Sequence, residues 1–345
     1  MSLRSPYIVT INETGQVNAG VNIYVWRHGE TQPTTPTIEL FQNVLSTVNT
    51  SISFNVSPYI EKYVANISPL LLGGLKDSNE WVYVALEYLS DGVVLDTIYS
   101  IATQAYTNYG NGINFDYGSD FASFFCPLKT EITEVYLPLG TQRYIDVAYL
   151  GDTGDLTVQW DVNGTITTET ITTGSPKALY TFPISPTDLD EKTILTISHS
   201  DWGFPWTVVV KRECEPKYTP IMIDFVNKLG GWDFLTCFKK SRENIATTSK
   251  DYQLFQDVTM FTPAIGESKS FNYKLTRSVR VNTGWVHEST GKLIEELLCS
   301  NTILVDGRPA KLKTNSLELM KSINGKQINY SLEFEYNYND INSVV

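Results

Sequence analysis

The residues best suited by type and spacing to do chemistry are Arg27-His28-Gly29-Glu30-Thr31, inside the stretch IYVWRHGETQP at residues 23–33. A histidine beside an arginine at the end of an apolar strand can take a phosphoryl group on its imidazole while the guanidinium grips the phosphate oxygens. His199, which closes the apolar run TILTISH, is the matching candidate for a second, late histidine. The chemistry asks for more than these residues. A phosphoryl group in flight spreads charge over three equatorial oxygens, so its site must collect several cations. This chain has no arginine between Arg27 and Arg143, and Lys62 and Lys76 are the lysines in that neighbourhood.

Letter for letter, the pentapeptide resembles the opening signature of the histidine phosphatase and phosphoglycerate mutase family. That likeness implies parallel strands alternating with long amphipathic helices. The elements around it do not follow. Residues 100–212 read as hairpins with almost no helical stripe, and the motif runs into the proline-broken TQPTTPTIEL. In this context Arg27–Glu30 is a polar, glycine-containing exit from a strand that ends at Trp26, and His199 ends a strand before a turn. The sequence also lacks a GxSxG, a P-loop and a dinucleotide fingerprint, and LLGGL and LGGWD read as glycine turns. No catalytic residue, cofactor-binding residue or metal ligand is assigned, and the expectation is a chain without enzymatic activity.

Strand signals dominate the elements. VNIYVW and SISFNV alternate apolar and polar residues, and Ser57-Pro58 followed by Ile60, Tyr63, Val64 and Ile67 predicts one short helix over 58–67. Asp91-Gly92, Asn163-Gly164 and Asp306-Gly307 supply the positive-φ residues of tight hairpin turns. Leu293, Ile294, Leu297 and Leu298 form one helical stripe. In SFNYKLTRSVRV, Phe271, Tyr273, Leu275, Val279 and Val281 alternate as a strand. In the last strand Ile328, Tyr330, Leu332, Phe334, Tyr336 and Tyr338 fill one face and polar residues the other. The fold class expected is mainly β, with multi-module, β-sandwich-like domains and a few short helices. Three modules are expected: 1–125, a middle all-β domain at 126–213, and 214–345 with one amphipathic helix.

The totals narrow the function. Residues 1–212 hold 10 Lys and Arg against 22 Asp and Glu, whereas residues 213–345 hold 16 against 16. An acidic front and a neutral back without a concentrated basic stripe argue against nucleic acid as a partner. No apolar run is long enough to span a bilayer, and the N-terminal residues lack the pattern of a secretory signal, so no membrane association is expected. Cys126, Cys214, Cys237 and Cys299 are far apart and none sits in a CxxC, which reads as four buried free thiols rather than a disulfide framework or zinc knuckle.

The remaining candidate is the loop YTNYGNGINFDYGSDFASFF at 106–125, aromatic and free of basic residues. Tyr106, Tyr109, Phe115 and Tyr117 are its candidate contacts, either with a neighbouring protein or stacked on a sugar, with Asp116 and Asp120 as polar anchors. A carbohydrate-binding or adhesin module is the alternative function this loop suggests.

Several phrases, taken as a set, carry a resemblance. SPYIVTIN, VNIYVW and SISFNVSPYI in the first module, and FVNKLGGWDFLTCFKKS, VNTGWVHESTGKLIEELLCS and LKTNSLELMKSINGKQINYSLEFEYNYNDIN in the last, resemble tail-associated structural proteins of tailed bacteriophages, closest to those infecting Bacteroidota. The resemblance spans both ends of the chain and less of its middle. It implies a non-enzymatic virion subunit of a tail, baseplate or neck, assembled in the host cytoplasm. Its implied partners are other virion structural proteins and copies of itself, with no cofactor.

Overall fold

In the computed structural model the described residues are 1–43, 51–65, 74–76, 79–116, 125–130, 134–138, 141, 143–150, 155–162, 165–172, 177–184, 192–198, 206–213, 217–254, 267–314 and 327–338. The fold is mainly β, multi-module and β-sandwich-like, with several antiparallel sheets and two short helices among the described residues. Its contacts group it into two compact units. Unit 1 comprises Met1–Glu215, Asp224–Leu235 and Ser289–Asn301, and unit 2 comprises Pro216–Ile223, Thr236–Glu288 and Thr302–Val345. The first two expected modules thus fall together in unit 1, with two pieces of the third. The physical reason is polar: Trp232, Asp233 and Glu296, from those two pieces, are bonded into the interior of unit 1.

Unit 1 begins with β1 (Ile8–Asn12), β2 (Asn18–Trp26), β3 (Ile38–Asn43), β4 (Ser51–Asn55), the helix α1 (Ser57–Glu61), β5 (Gly74–Leu75), β6 (Trp81–Ser90) and β7 (Val93–Thr103). α1 starts at Ser57, one residue before the predicted proline, and ends after five residues. β6 and β7 form the predicted hairpin, with Asp91 at φ 49° and Gly92 at φ 78°, and Ser90 opposite Val93. The sheet order β3-β2-β6-β7 leaves two faces. On one, Ala19, Val21, Ile23, Val82, Val84 and Leu86 are buried in a core with Val9 and Ile11 of β1, Ile52 of β4 and Ile60 of α1. The other face is taken up below.

The chain continues with β8 (Phe125–Pro127), β9 (Glu134–Pro138), β10 (Arg143–Tyr149), β11 (Asp155–Val162), β12 (Thr165–Thr172), β13 (Ala178–Ile184), β14 (Lys192–Ser198) and β15 (Trp206–Glu213). Two sheets result, ordered β5-β13-β10-β8 and β12-β11-β14-β15-β9. β11 and β12 pair antiparallel with Val162 opposite Thr165, as a two-residue turn requires; Asn163-Gly164 itself lies outside the described residues. β9 pairs with β15 in parallel, a long-range union no local turn announces.

β16 (Ile221–Val226) and β17 (Trp232–Cys237) each contribute residues to both units. They are followed by β18 (Arg242–Gln253), β19 (Ser268–His287), the helix α2 (Thr290–Cys299), β20 (Ile303–Val305), β21 (Arg308–Leu312) and β22 (Gln327–Tyr336). The sheet order is β17-β16-β20-β21-β22-β19-β18. In β22 the predicted face is buried at Ile328, Tyr330, Leu332, Phe334 and Tyr336, whereas Tyr338 beyond its end is exposed. On α2, Leu293, Ile294 and Leu297 are buried. Among the described residues no helix is long and apolar enough to cross a membrane.

Candidate interaction surfaces

The Arg27–Glu30 segment is a tight turn. Glu30 N–H donates to the Arg27 carbonyl at 3.1 Å, Gly29 takes φ 85°, and the Glu30 carboxylate accepts the Arg27 N–H at 2.8 Å. The Glu30 carboxylate thus closes the turn on itself. His28 Nδ1 lies 3.4 Å from the Tyr83 hydroxyl, and its ring packs 5.9 Å from Trp81. His199 lies outside the described residues.

The densest chemistry in unit 1 is buried. Lys76, 2% exposed, pairs with Asp146 and, at 3.2 Å, with Glu80. Asp146 also accepts from Thr181 Oγ1 and Trp232 N–H, both at 2.8 Å, and the Trp232 indole donates to Glu80 at 2.9 Å. Burial opposes the Lys76 charge, but Asp146 and Glu80 outweigh it and hold the ammonium above its ordinary range. Burial also pushes the Glu80 carboxyl up, against the pull of Lys76. A second knot pairs Lys129 with Asp233, whose carboxylate also accepts the Thr130 N–H at 3.0 Å and the Asn227 amide at 3.0 Å. Glu296, on α2, accepts the Lys228 N–H at 3.0 Å, and burial raises its carboxyl. The sequence places Glu296 on the exposed side of its helix; the structure turns it inward. There its carboxylate also accepts the Thr130 hydroxyl at 3.0 Å, so donors from two distant segments hold it.

A cluster of paired carboxylates and lysines resembles a catalytic pocket, and volume decides against that use. The space among Lys76, Glu80, Arg143, Asp146, Thr181 and Asp233 is about 20 Å³, room for roughly one water molecule. Its carboxylates are consumed by backbone and side-chain donors. The two knots therefore position strands rather than substrates. Among the described residues no group of three or more His, Cys, Asp or Glu side chains is placed to hold a metal ion.

The aromatic loop divides. Tyr106 is half-buried, its N–H donating to the Lys228 carbonyl at 2.9 Å and its ring lying 4.8 Å from the Arg4 guanidinium. Phe115 is 8% exposed and packs within unit 1, and Asp116 accepts the Ser100 hydroxyl at 2.7 Å. Tyr109 stands fully in solvent on a short 3₁₀ turn, Tyr109–Asn111. Tyr117 and Asp120 lie outside the described residues. Cys237 is buried but Cys299 is exposed, which corrects the expectation of four buried thiols; Cys126 lies in β8, and Cys214 is outside the described residues.

Two open β surfaces remain, one on each unit. In unit 2, all twelve residues of β18 are exposed, as are Ser268–Lys274 of its partner β19. Val279 and Val281 of β19 reach the core, while Tyr273 remains 44% exposed and Phe271, where the predicted alternation is broken, 46% exposed. A register shift between Thr248 and Lys250, with Asn272 at φ 52°, marks a bulge that puts Tyr252 and Phe271 on one face, their rings edge to face at 5.6 Å. The pairings Arg242–Arg280, Thr248–Lys274, Lys250–Phe271 and Tyr252–Lys269 place five cations on that face. Glu243 and Asp251 fall on the other face. Beside the base of this arm, Lys274, Thr276, Lys311, Asn337 and the rings of Tyr336 and Tyr338 line a concavity of about 320 Å³. Glu335 also borders it, already bonded to Lys311 and Lys313.

In unit 1, the outer face of the β3-β2-β6-β7 sheet carries Asn22, Tyr24, Glu39, Phe41, Glu87 and Tyr99. Phe41 and Tyr99 are 56% and 57% exposed. The Phe41 ring lies on Gly20, where a Cβ would meet it at 2.4 Å. Glu87 accepts from the Tyr24 hydroxyl at 2.8 Å and the Asn22 amide at 3.2 Å, and Glu39 is exposed. None of the four strands contains a lysine or arginine. Compared with protein-family models and with curated proteins, the chain matches none.

Proposed function

We propose that this chain is a non-enzymatic structural subunit of a virion, holding neighbouring subunits of a phage tail, baseplate or neck in register through protein–protein contacts. The observation that carries the reading is the β18–β19 arm, a hairpin about 40 Å long at the usual rise per residue whose outer part is exposed, with no covering among the described residues of its own unit. Ordered strands with bare aromatic rings cost solvation unless a partner covers them, and Tyr and Phe are favoured at interface centres. The buried charge knots supply a rigid frame and offer no room for a substrate. The reading places the protein in the virion, after assembly in the host cytoplasm, with other virion proteins and its own copies as partners. Nucleic acid, membrane and cofactors have no role in it.

Peptide mass spectrometry on virus particles purified from cultures that express the gene tests it. Peptides of this chain at a stoichiometry well above carry-over are expected. Their absence from particles, with the protein abundant in the cells, would sink the structural role and promote a glycan-binding role for the 106–125 loop. In that case a Tyr109→Ala change would abolish binding on a glycan array.

A further inference from the structure

The two open surfaces are chemically opposite. The formal charge of unit 1 is −16, from 12 Lys and Arg against 28 Asp and Glu, and that of unit 2 is +4, from 14 against 10. The contrast sharpens at the two faces themselves. The arm face presents Arg242, Lys250, Lys269, Lys274 and Arg280 around the Tyr252–Phe271 pair, with no carboxylate among the described residues of β18 and β19 on that face; at its base β22 adds Glu333 opposite Arg280 and Glu335 opposite Ser278, both paired with Lys311 or Lys313. The outer sheet face of unit 1 presents Glu39 and Glu87 around Phe41 and Tyr99, with no cation in its strands.

We infer that the arm of one copy docks on the outer β3-β2-β6-β7 face of a second copy, cations against Glu39 and Glu87, rings against rings. The inference rests on the structural reading and names its partner. Lysines also guard a free strand edge against random pairing, but that role does not call for bare aromatic rings between them. The two faces differ, so the contact is heterologous: each copy gives its arm to one neighbour and its sheet to another, and the chain of contacts closes into a ring or extends as a filament. Both faces are narrow, so each contact is weaker than a standard interface and gains strength when a ring closes or a scaffold aligns the copies.

Sedimentation velocity over a concentration series tests this on the full chain. Association is expected at about 50 mM salt and should recede toward monomer near roughly 0.5 M, where screening shortens to a few ångströms. Lys250→Glu with Lys274→Glu, or Glu39→Lys with Tyr99→Lys, should each weaken association by about tenfold or more. All four positions are solvent-facing, so unchanged circular dichroism is the folding control. Mixed together, the two double variants each retain one intact face and should form a 1:1 dimer that grows no further. A wild-type chain that stays monomeric at every concentration, or a mixture of variants that never dimerises, overturns the inference. Retention of single-stranded DNA through Lys250 and Lys274 by a monomeric chain also overturns it, in favour of a nucleic-acid arm. Because particle composition is measured independently, a monomer in solution that is still found in particles refutes this docking mode and leaves the structural role standing.

Discussion

Asp233 has no slack in its bonding. It holds the Lys129 ammonium and accepts from Thr130 and Asn227, and both it and Lys129 are nearly inaccessible to solvent. Removing it strands a buried cation and three donors, so Asp233→Ala should cost about 3–5 kcal/mol, read from the urea midpoint. Lys129→Met should cost clearly less, because the remaining carboxylate keeps its Thr130 and Asn227 donors while an apolar stem fills the lysine's space. Equal costs would mean the ion pair, not the carboxylate's bonding, holds the knot. Glu296 makes a pH prediction. Burial raises its folded-state carboxyl above the ordinary value of 4.5, so the folded chain binds its proton more tightly than the unfolded chain. Its contribution is therefore fully present below the unfolded value and is lost as pH rises through the folded one. Glu296→Gln keeps the shape and removes the titration, so the variant's stability should fall less than wild type's from pH 4.5 upward. Identical pH profiles would show that Glu296 titrates normally.

At the scale of elements, the arm is predicted to be dispensable for folding. Joining Thr247 to Leu275 through Asn-Gly, in place of Thr248–Lys274, uses an opposed register pair and a favoured two-residue turn. The shortened chain should unfold within about 1 kcal/mol of wild type, because the removed residues that are described bury almost nothing. A large loss would show that the outer arm is part of a folding core. The arm also marks the limit of what the sequence reveals. Hairpins written in Asp-Gly were legible because two positive-φ residues dictate the turn locally. β22 was legible because its alternation meets a core. β18 was not foreseen: Arg-Glu-Asn-Ile-Ala-Thr-Thr-Ser-Lys-Asp-Tyr-Gln lacks an apolar period, and its long partner strand alone holds it in the sheet. Phe271 and Tyr273 carried the right period and still ended in solvent, since alternation assigns residues to faces without saying which face is covered. The burial of Lys76 and Lys129 has no local signal either, since their partners Asp146 and Asp233 come from strands 70 and 104 residues away.

At the scale of the molecule, opposite charges on two units make the chain its own complementary partner, and that gives assembly a direction. A chain shortened at the arm by the Thr247–Asn-Gly–Leu275 junction still offers an intact β3-β2-β6-β7 face, so it can accept an arm but cannot donate one. Added to wild type in small proportion, it should cap the free-arm end of growing assemblies and stop them there, one shortened chain per assembly. An interface in which the same patch meets itself would behave differently, because a chain lacking that patch would stay out of the assembly altogether. Sedimentation of wild type with rising fractions of fluorescently labelled shortened chain separates the two. Label that co-sediments with assemblies that become smaller as its fraction rises is the expected result. Label that remains monomeric while wild-type assemblies keep their size would exclude the head-to-tail arrangement. Glu39→Lys with Tyr99→Lys in the shortened chain should then release the label, because its single remaining contact now sets cations against the cations of the arm.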